Sequence, residues 1–494
     1  MHSGNALLNN RFSEKASGLI FYIFSSIILI SLAVSIYSEN YYLLLIPSGI
    51  LFLYLSLINI KFIYFLLLIT IPLSIEIQLP NGFATDFPTE LLTGGLMILF
   101  ITLVLAKPQI FNIDFLKSPL FFLVVIHYVW ILITSIFSED AYVSFKFFLA
   151  KTWYLTTFLF VTAIIIKRVE DFKIAFWCLL IPLLFTMVYT LVNHAKTGFT
   201  FQTVNTPMLP FFRNHVNYAC SIAQMIPLSV LAVSWYRKRT LKRRFLIISI
   251  LLMLVAVYFS YTRSAWLSLL AAAMVIAVIR FKLMKPAVIV AFAGSICFFI
   301  YMGINNHYLT HAPDYETTVY HTDLSQHLES TFEGKDISSA ERIYRWVAGI
   351  RMWMEHPVMG FGPGNFNNFY KAFTVSSFRT YVSDNPERSS IHNYFLLVLT
   401  EQGLIGMIIF VALTVVIFIN GERIYFQTVV KEERRYVLAL LLCLVIIYVN
   451  TFLSDLLETD KIGSLYFICI ALLINQDIRN KKQANISVAQ STLS

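Results

Sequence analysis

Apolar runs of roughly 20 residues follow one another along most of the chain, separated by short polar breaks. A run of that length is what a helix needs to cross the hydrocarbon of a bilayer. Read by hydropathy, the candidate spans are 18–37, 42–60, 62–79, 89–106, 119–137, 152–166, 174–193, 216–236, 245–261, 264–280, 286–303, 394–419, 435–453 and 462–475. The third, sixth and last are short or polar at one end. Alternating ten-residue strands, the mark of a membrane β-barrel, do not occur. The pattern predicts an all-α, polytopic membrane helix bundle of about 12–14 transmembrane helices. One long polar stretch, 304–393, interrupts it. The chain thus divides into an N-terminal bundle over 1–303, a large loop over 304–393, and closing helices with a short tail over 394–494, whose last dozen residues read as unstructured.

Composition agrees. Of 494 residues, 58% are apolar and 13% charged, and the mean hydropathy is +0.71. Soluble domains carry about 25% charged residues, so a water-soluble enzyme is excluded. The net charge of +9 needs no nucleic acid partner, because cytoplasmic loops of membrane proteins collect Lys and Arg. With the N-terminus inside, most of the 37 Lys and Arg fall on the cytoplasmic side, RKRTLKRR (237–244) foremost. The 304–393 loop then lies outside the cytoplasm. Cys178, Cys220, Cys297, Cys443 and Cys469 sit in apolar runs without a C-x-x-C pair, which excludes a cysteine zinc site or a disulfide framework. The first apolar run lacks an A-x-A site and is expected to stay as an anchor.

Inside the large loop, SSAERIYRWVAGIRMWMEHP reads as an amphipathic helix. Ser338 and Glu341 form a capping-box pattern. Ile343, Trp346, Val347, Ile350 and Met354 recur at helical spacing, and His356-Pro357 ends the run. The helix can lie on the membrane or on the bundle. GFGPGNF (360–366) reads as a turn, its glycines serving tight backbone geometry rather than a nucleotide. His307, His311, His321 and His327 complete no zinc pattern and read as loop histidines; no metal and no cofactor is expected.

Four positions carry candidate chemistry. Arg263 stands between two apolar spans at the outer side, where a guanidinium needs an anionic partner or snorkels to water. Arg213, amid Asn214, His215 and Asn217, is either a phosphate fork or an ordinary loop arginine. His392 opens the re-entry into the membrane and is either a general base or a satisfied helix-end histidine. Glu401, nine residues on, either pairs with an arginine or caps broken backbone. Because it lies two and a half turns away, His392 must be oriented by something else, and the 338–356 helix is the candidate.

Three segments in order then resemble one family. YTRSAWLSLLAA resembles its S-R-x-A/G-W-L segment, and ERIYRWVAGIRMWMEHPVMGFGPGNF its arginine-tryptophan helix with H-P-x-x-G-x-G-x-x-N-F. HNYFLLVLTEQGLIG resembles its H-N-x-x-L-x-x-x-x-E-x-G-x-x-G helix. The family is the O-antigen ligase and O-antigen polymerase superfamily of bacterial inner membranes, and the resemblance covers roughly 205–415. It implies a metal-independent glycosyltransferase with its site facing the periplasm. The donor would be a polyprenyl-diphosphate-linked glycan and the acceptor lipid A-core, another glycan or a protein, all amid membrane lipids. It places the diphosphate on Arg213, Arg263 and Arg342, catalysis on His392 and Arg263, and support on Asn393 and Glu401. Polymerase and protein O-oligosaccharyltransferase activities share these motifs; a lipid-linked glycan flippase is the reading from another class.

Overall fold

The computed structural model describes residues 59–78, 84–110, 112–311, 337–378 and 389–493, with isolated positions within 22–49 and at 383 and 385. The first two expected spans lie largely outside the described residues. From Asn59 onward the chain is a helix bundle: α1 (Ile60–Leu73), a hairpin of β1 (Ile75–Gln78) and β2 (Ala84–Phe87), then α2 (Thr89–Ala106) and α3 (Pro119–Ile136). There follow α4 (Ala141–Ile165), α5 (Val169–Lys196), α6 (His215–Val233), α7 (Leu241–Phe259), α8 (Arg263–Arg280) and α9 (Met284–Gly303). The loop helix is α10 (Ile337–Glu355), and α11 (Tyr394–Gln427), α12 (Lys431–Leu453) and α13 (Asp460–Leu493) close the fold.

Polar residues in the breaks start these helices. The side chains of Asn59, Asp140, Asn214, Thr240 and Asn393 each accept a backbone N–H of the first turn that follows. That satisfies donors no intrahelical carbonyl can reach.

Among the described residues, ten helices are long and apolar enough to span a membrane. α1 is shorter, and α7 opens inside the basic run. The protein is therefore a multi-pass membrane protein. Contacts sort the loops into two ends, as alternation requires. At one end Lys61 meets Asp171, Lys173 meets Glu432, and Arg423 meets Asp477. At the other, Ser74 meets Asp460, Glu139 N–H donates to Phe361 O, and Thr262 donates to His215 O. α6, α12 and α13 fill the centre; α9 stands at the margin.

Four expectations are corrected. The span expected over 62–79 stops at Leu73, after Pro72, and the alternating IEIQ run pairs antiparallel with ATDF (Ile75 opposite Phe87). The span expected over 152–166 begins at Ala141 and contains a π-helical stretch, Thr156–Val161. Lys151 hides it from hydropathy, yet inside the bundle that charge is paired with Glu458 at 2.7 Å. The tail expected to be unstructured continues α13 to Leu493, with no Gly or Pro after Gly463 to break it. Finally, Ser338 lies inside α10 rather than at its cap, and Glu341 turns to Ser383 and Arg345.

α10 also buries an unexpected face. Glu341, Tyr344, Arg345, Ala348 and Met352 are buried, on a helix that packs against α11 and the 370–373 turn. The apolar stripe at Ile343, Trp346 and Ile350 instead turns toward α9, where Trp346 meets Phe299 with ring centroids 5.7 Å apart.

Candidate active site

Two structures on α11 define the site end. The first is a seam. α11 is interrupted at Gly403, whose φ of 68° and ψ of −171° break the helix. The 357–366 turn docks into the break. Phe361 N–H donates to Thr400 O (3.0 Å), Gly362 N–H to Glu401 O (2.8 Å), and Leu404 N–H to Pro357 O (2.9 Å). The Glu401 carboxylate accepts from Gly364 N–H at 2.8 Å and from Phe366 N–H at 2.9 Å. This is the geometry of a cap on broken backbone. A Cβ on Gly403 would meet Val358 O at 2.1 Å, so the approach needs glycine. Asn365 ties the turn to the α3–α4 loop through Ser138 (2.6 Å).

The second structure is a mouth, at the start of α11. Asn393 caps the helix by accepting from Leu396 N–H at 3.1 Å. His392 precedes it, half-buried, with φ +56°, a conformation uncommon outside glycine. An Arg345 Nη1–H donates to His392 Nε2 at 2.9 Å. The same nitrogen donates to Ser390 O (3.0 Å) and Ser389 O (3.3 Å), and Nη2 pairs with Glu341 at 3.4 Å. Arg345 is 4% exposed, so this arrangement is an interior one. Burial, with Arg345 and then Arg342, pushes the His392 imidazole down to about 3.

The facing wall comes from the α5–α6 and α12–α13 loops. Asp455 lies beside Ser390 and Arg213; burial raises its carboxyl above the usual range, while Ser390 and Arg213 draw it down. Glu458 fixes that loop by accepting from Lys151 and from Tyr394 O–H, two residues past His392. Lys461 stands over the Phe212 ring at 5.7 Å. Thr262, next to Arg263, donates to His215 O at 3.3 Å, which ties the α8 turn to the start of α6.

Of the residues singled out in the sequence, Arg342 acts on His392, the neighbour of the cap Asn393, and Arg213 acts on Asp455, which lies beside Ser390. Arg263 opens α8 beside Thr262, whose hydroxyl donates to His215 O. Glu401 belongs to the seam. His307 meets Tyr301 O–H, while His321 and His327 lie outside the described residues. Arg345, Asp455 and Glu458 are the groups that motif reading missed. The available signals were a second arginine one turn from Arg342 and three acids in the short break SDLLETD.

Beside Arg342, a cavity of about 490 Å³ opens between α9 and α10 and reaches Leu453. Its walls are mainly Phe298, Phe299, Trp346 and Ile350, with Arg342 and Arg351 as its cations. An apolar slot bordered by guanidinium groups suits an amphiphile with an anionic head.

No curated protein matches the chain. Residues 248–411 match the family model described as O-antigen ligase, a stretch that runs from α7 into α11 and contains Arg263, Arg342, Arg345, His392 and Glu401. Over those residues the chain is similar to the O-antigen ligase family of membrane proteins.

Proposed function

We propose that the protein transfers a glycan from a polyprenyl diphosphate carrier to an acceptor hydroxyl, with lipid A-core as acceptor, at the periplasmic face of a bacterial inner membrane. The observation that carries this reading is the apolar cavity of about 490 Å³ with Arg342 on its wall, next to His392. The prenyl chain lies against Phe299 and Trp346, and the diphosphate meets Arg342, with Arg213 and Arg263 as the further cations. Departure of the diphosphate concentrates negative charge on the leaving oxygen. Fixed guanidinium groups in a dry site stabilise that charge without the reorganisation water requires. Attack by the acceptor hydroxyl on the face opposite the leaving group forms the new C–O bond as the bond to the diphosphate oxygen breaks, inverts the anomeric carbon, and passes the hydroxyl proton to water or to the departing diphosphate. The orientation rests on the charge pattern: the end that carries the site is the one poorer in Lys and Arg over its short loops.

The deciding experiment reconstitutes purified protein with lipid-linked glycan and acceptor, without an ion gradient. Transfer is expected. Movement of donor across the bilayer with no transfer would favour a flippase and end this reading. Glycan ladders from a deletion strain separate the two activities within the superfamily. Long chains retained on the carrier mean a lost ligase; single-unit chains mean a lost polymerase.

A further inference from the structure

We propose that Arg345 is a positioning residue that locks His392 in one tautomer, so that the imidazole serves transfer as a hydrogen-bond donor through Nδ1 and not as the proton acceptor. Arginine carries donors only, and its guanidinium stays charged in proteins. A nitrogen 2.9 Å from Arg345 Nη1 must therefore be the acceptor, and that nitrogen is His392 Nε2. A neutral imidazole that accepts at Nε2 holds its proton at Nδ1. The one lone pair a general base would use is already occupied, and the ring's remaining function is an N–H.

The surroundings enforce this arrangement. The Arg345 head is held from three sides, by Ser389 O, Ser390 O and Glu341, so the donor cannot swing away without breaking several hydrogen bonds. Glu341 is itself held by Ser383. The charges acting on the ring are Arg345 and Arg342, both from α10. On the α12–α13 loop, Asp455 lies one step away beside Ser390, with Arg213 facing it and Glu458 behind it. Two guanidinium groups on one side oppose a proton at Nε2, and the lock and the charge act in the same direction. A ring set to donate fits an oxygen that gains negative charge, which is what the diphosphate or the attacked sugar offers. This role rests on the transferase reading, whereas the tautomer itself rests only on the geometry.

The test reads the ring directly. Protein labelled with ¹⁵N-histidine, in lipid nanodiscs, gives imidazole nitrogen shifts, and the signal missing in His392→Gln identifies His392. The expected wild-type signal is Nδ1 protonated and Nε2 bare, unchanged from about pH 8 to about pH 5, where an ordinary histidine of pKa about 6.5 would titrate. In Arg345→Ala the ring should move toward the Nε2–H form. In Arg345→Lys, where an ammonium can still donate, the Nδ1–H form should return. Transfer should follow the fraction of Nδ1–H: lower by about 10–100-fold in the alanine variant, the scale seen when the outer partner of an oriented imidazole is removed, and largely restored in the lysine variant. An Nε2–H ring in the wild type, or titration near the ordinary value, overturns the proposal. So does an alanine variant with an unchanged tautomer. The expected spectra together with an inactive wild type would uphold the lock and sink the transferase reading instead.

Discussion

The seam at Glu401–Gly403 and the mouth at His392 stand on the same helix, yet their polar groups are used in opposite ways. At the seam, most polar groups are matched, Asn365 Oδ1 being the exception. Both Glu401 oxygens take backbone N–H groups, Gln402 Oε1 accepts from His127 Nε2–H at 2.9 Å, and the Gln402 carbonyl takes the Trp130 indole N–H. At the mouth, Arg342 and Arg345 act on His392, Arg213 acts on Asp455, and Arg345 is paired with Glu341. Asn393 Nδ2, fully buried, has no protein partner there. Burying polar groups costs little when they are paired and much when they are not. The seam spends its polarity on holding the 357–366 turn in place. The mouth sets Arg342 on the wall of an apolar cavity and Arg345 against His392.

The contrast breaks most sharply at Gly403. Gly403→Val puts a branched side chain onto Val358 O in a backbone conformation valine avoids. The expected outcome is loss of folded protein, seen as a collapse of the monodisperse peak in detergent, because steric and backbone costs at one buried site exceed the typical 0.5–3 kcal/mol of a point substitution. Arg263→Ala and Arg342→Ala should do the reverse. Each should leave folding intact and cut transfer by about 10²–10³-fold, the loss of one charge-stabilising donor. Lysine at either position should rescue only part, since an ammonium lacks the planar fork. A properly folded Gly403→Val, or an alanine variant of either arginine with full transfer, would erase the distinction between the two regions. Val347→Trp, aimed into the cavity, is expected to be milder. It should raise the donor KM by about tenfold with little change in kcat, since it removes binding shared by ground and transition states.

How far the sequence shows all this depends on which interactions are local. Apolar runs mark most spans because the bilayer acts on each helix separately. The glycines at 360, 362 and 364 announce special backbone, and all three take positive φ in the expected turn. Their docking partner could not be read, because the turn meets α11 some 40 residues later through backbone groups that carry no residue signature. Lys151 misled the hydropathy reading for the same reason: its counter-charge, Glu458, is 307 residues away. The expectation that α10 orients His392 followed from helical rise alone, but the residue responsible could not be named. Arg345 looks, in sequence, like one more polar residue of an amphipathic helix. Its meaning comes from α10 burying a mixed face, in which Glu341 and Arg345 stand among Tyr344, Ala348 and Met352, while the Ile343–Trp346–Ile350 stripe lines a cavity.

The smallest effect is expected at the histidine itself. Glutamine has a carbonyl that can accept from Arg345 and an amide N–H that can donate in place of Nδ1–H. If the mouth works by fixed positive charge and directed donors, His392→Gln should keep transfer within about tenfold of the wild type, whereas His392→Ala, which can do neither, should lose more. A true general base would cost about 10²–10⁴-fold in both variants. The pH dependence separates the two cases independently. The imidazole is pushed down to about 3, so it remains neutral as pH falls through 6.5, and the wild-type rate should show no acid limb from His392 between about pH 8 and 5. Stability should respond where rate does not. Below about 6.5 the unfolded chain takes up a proton on this histidine that the folded ring refuses until about 3. Acidification through that window therefore favours unfolding, and His392→Gln should remove this contribution. A wild-type rate that falls tenfold for each pH unit below 6.5, and a glutamine variant that loses that slope along with its activity, would return His392 to the role of base and leave the arginines as its support.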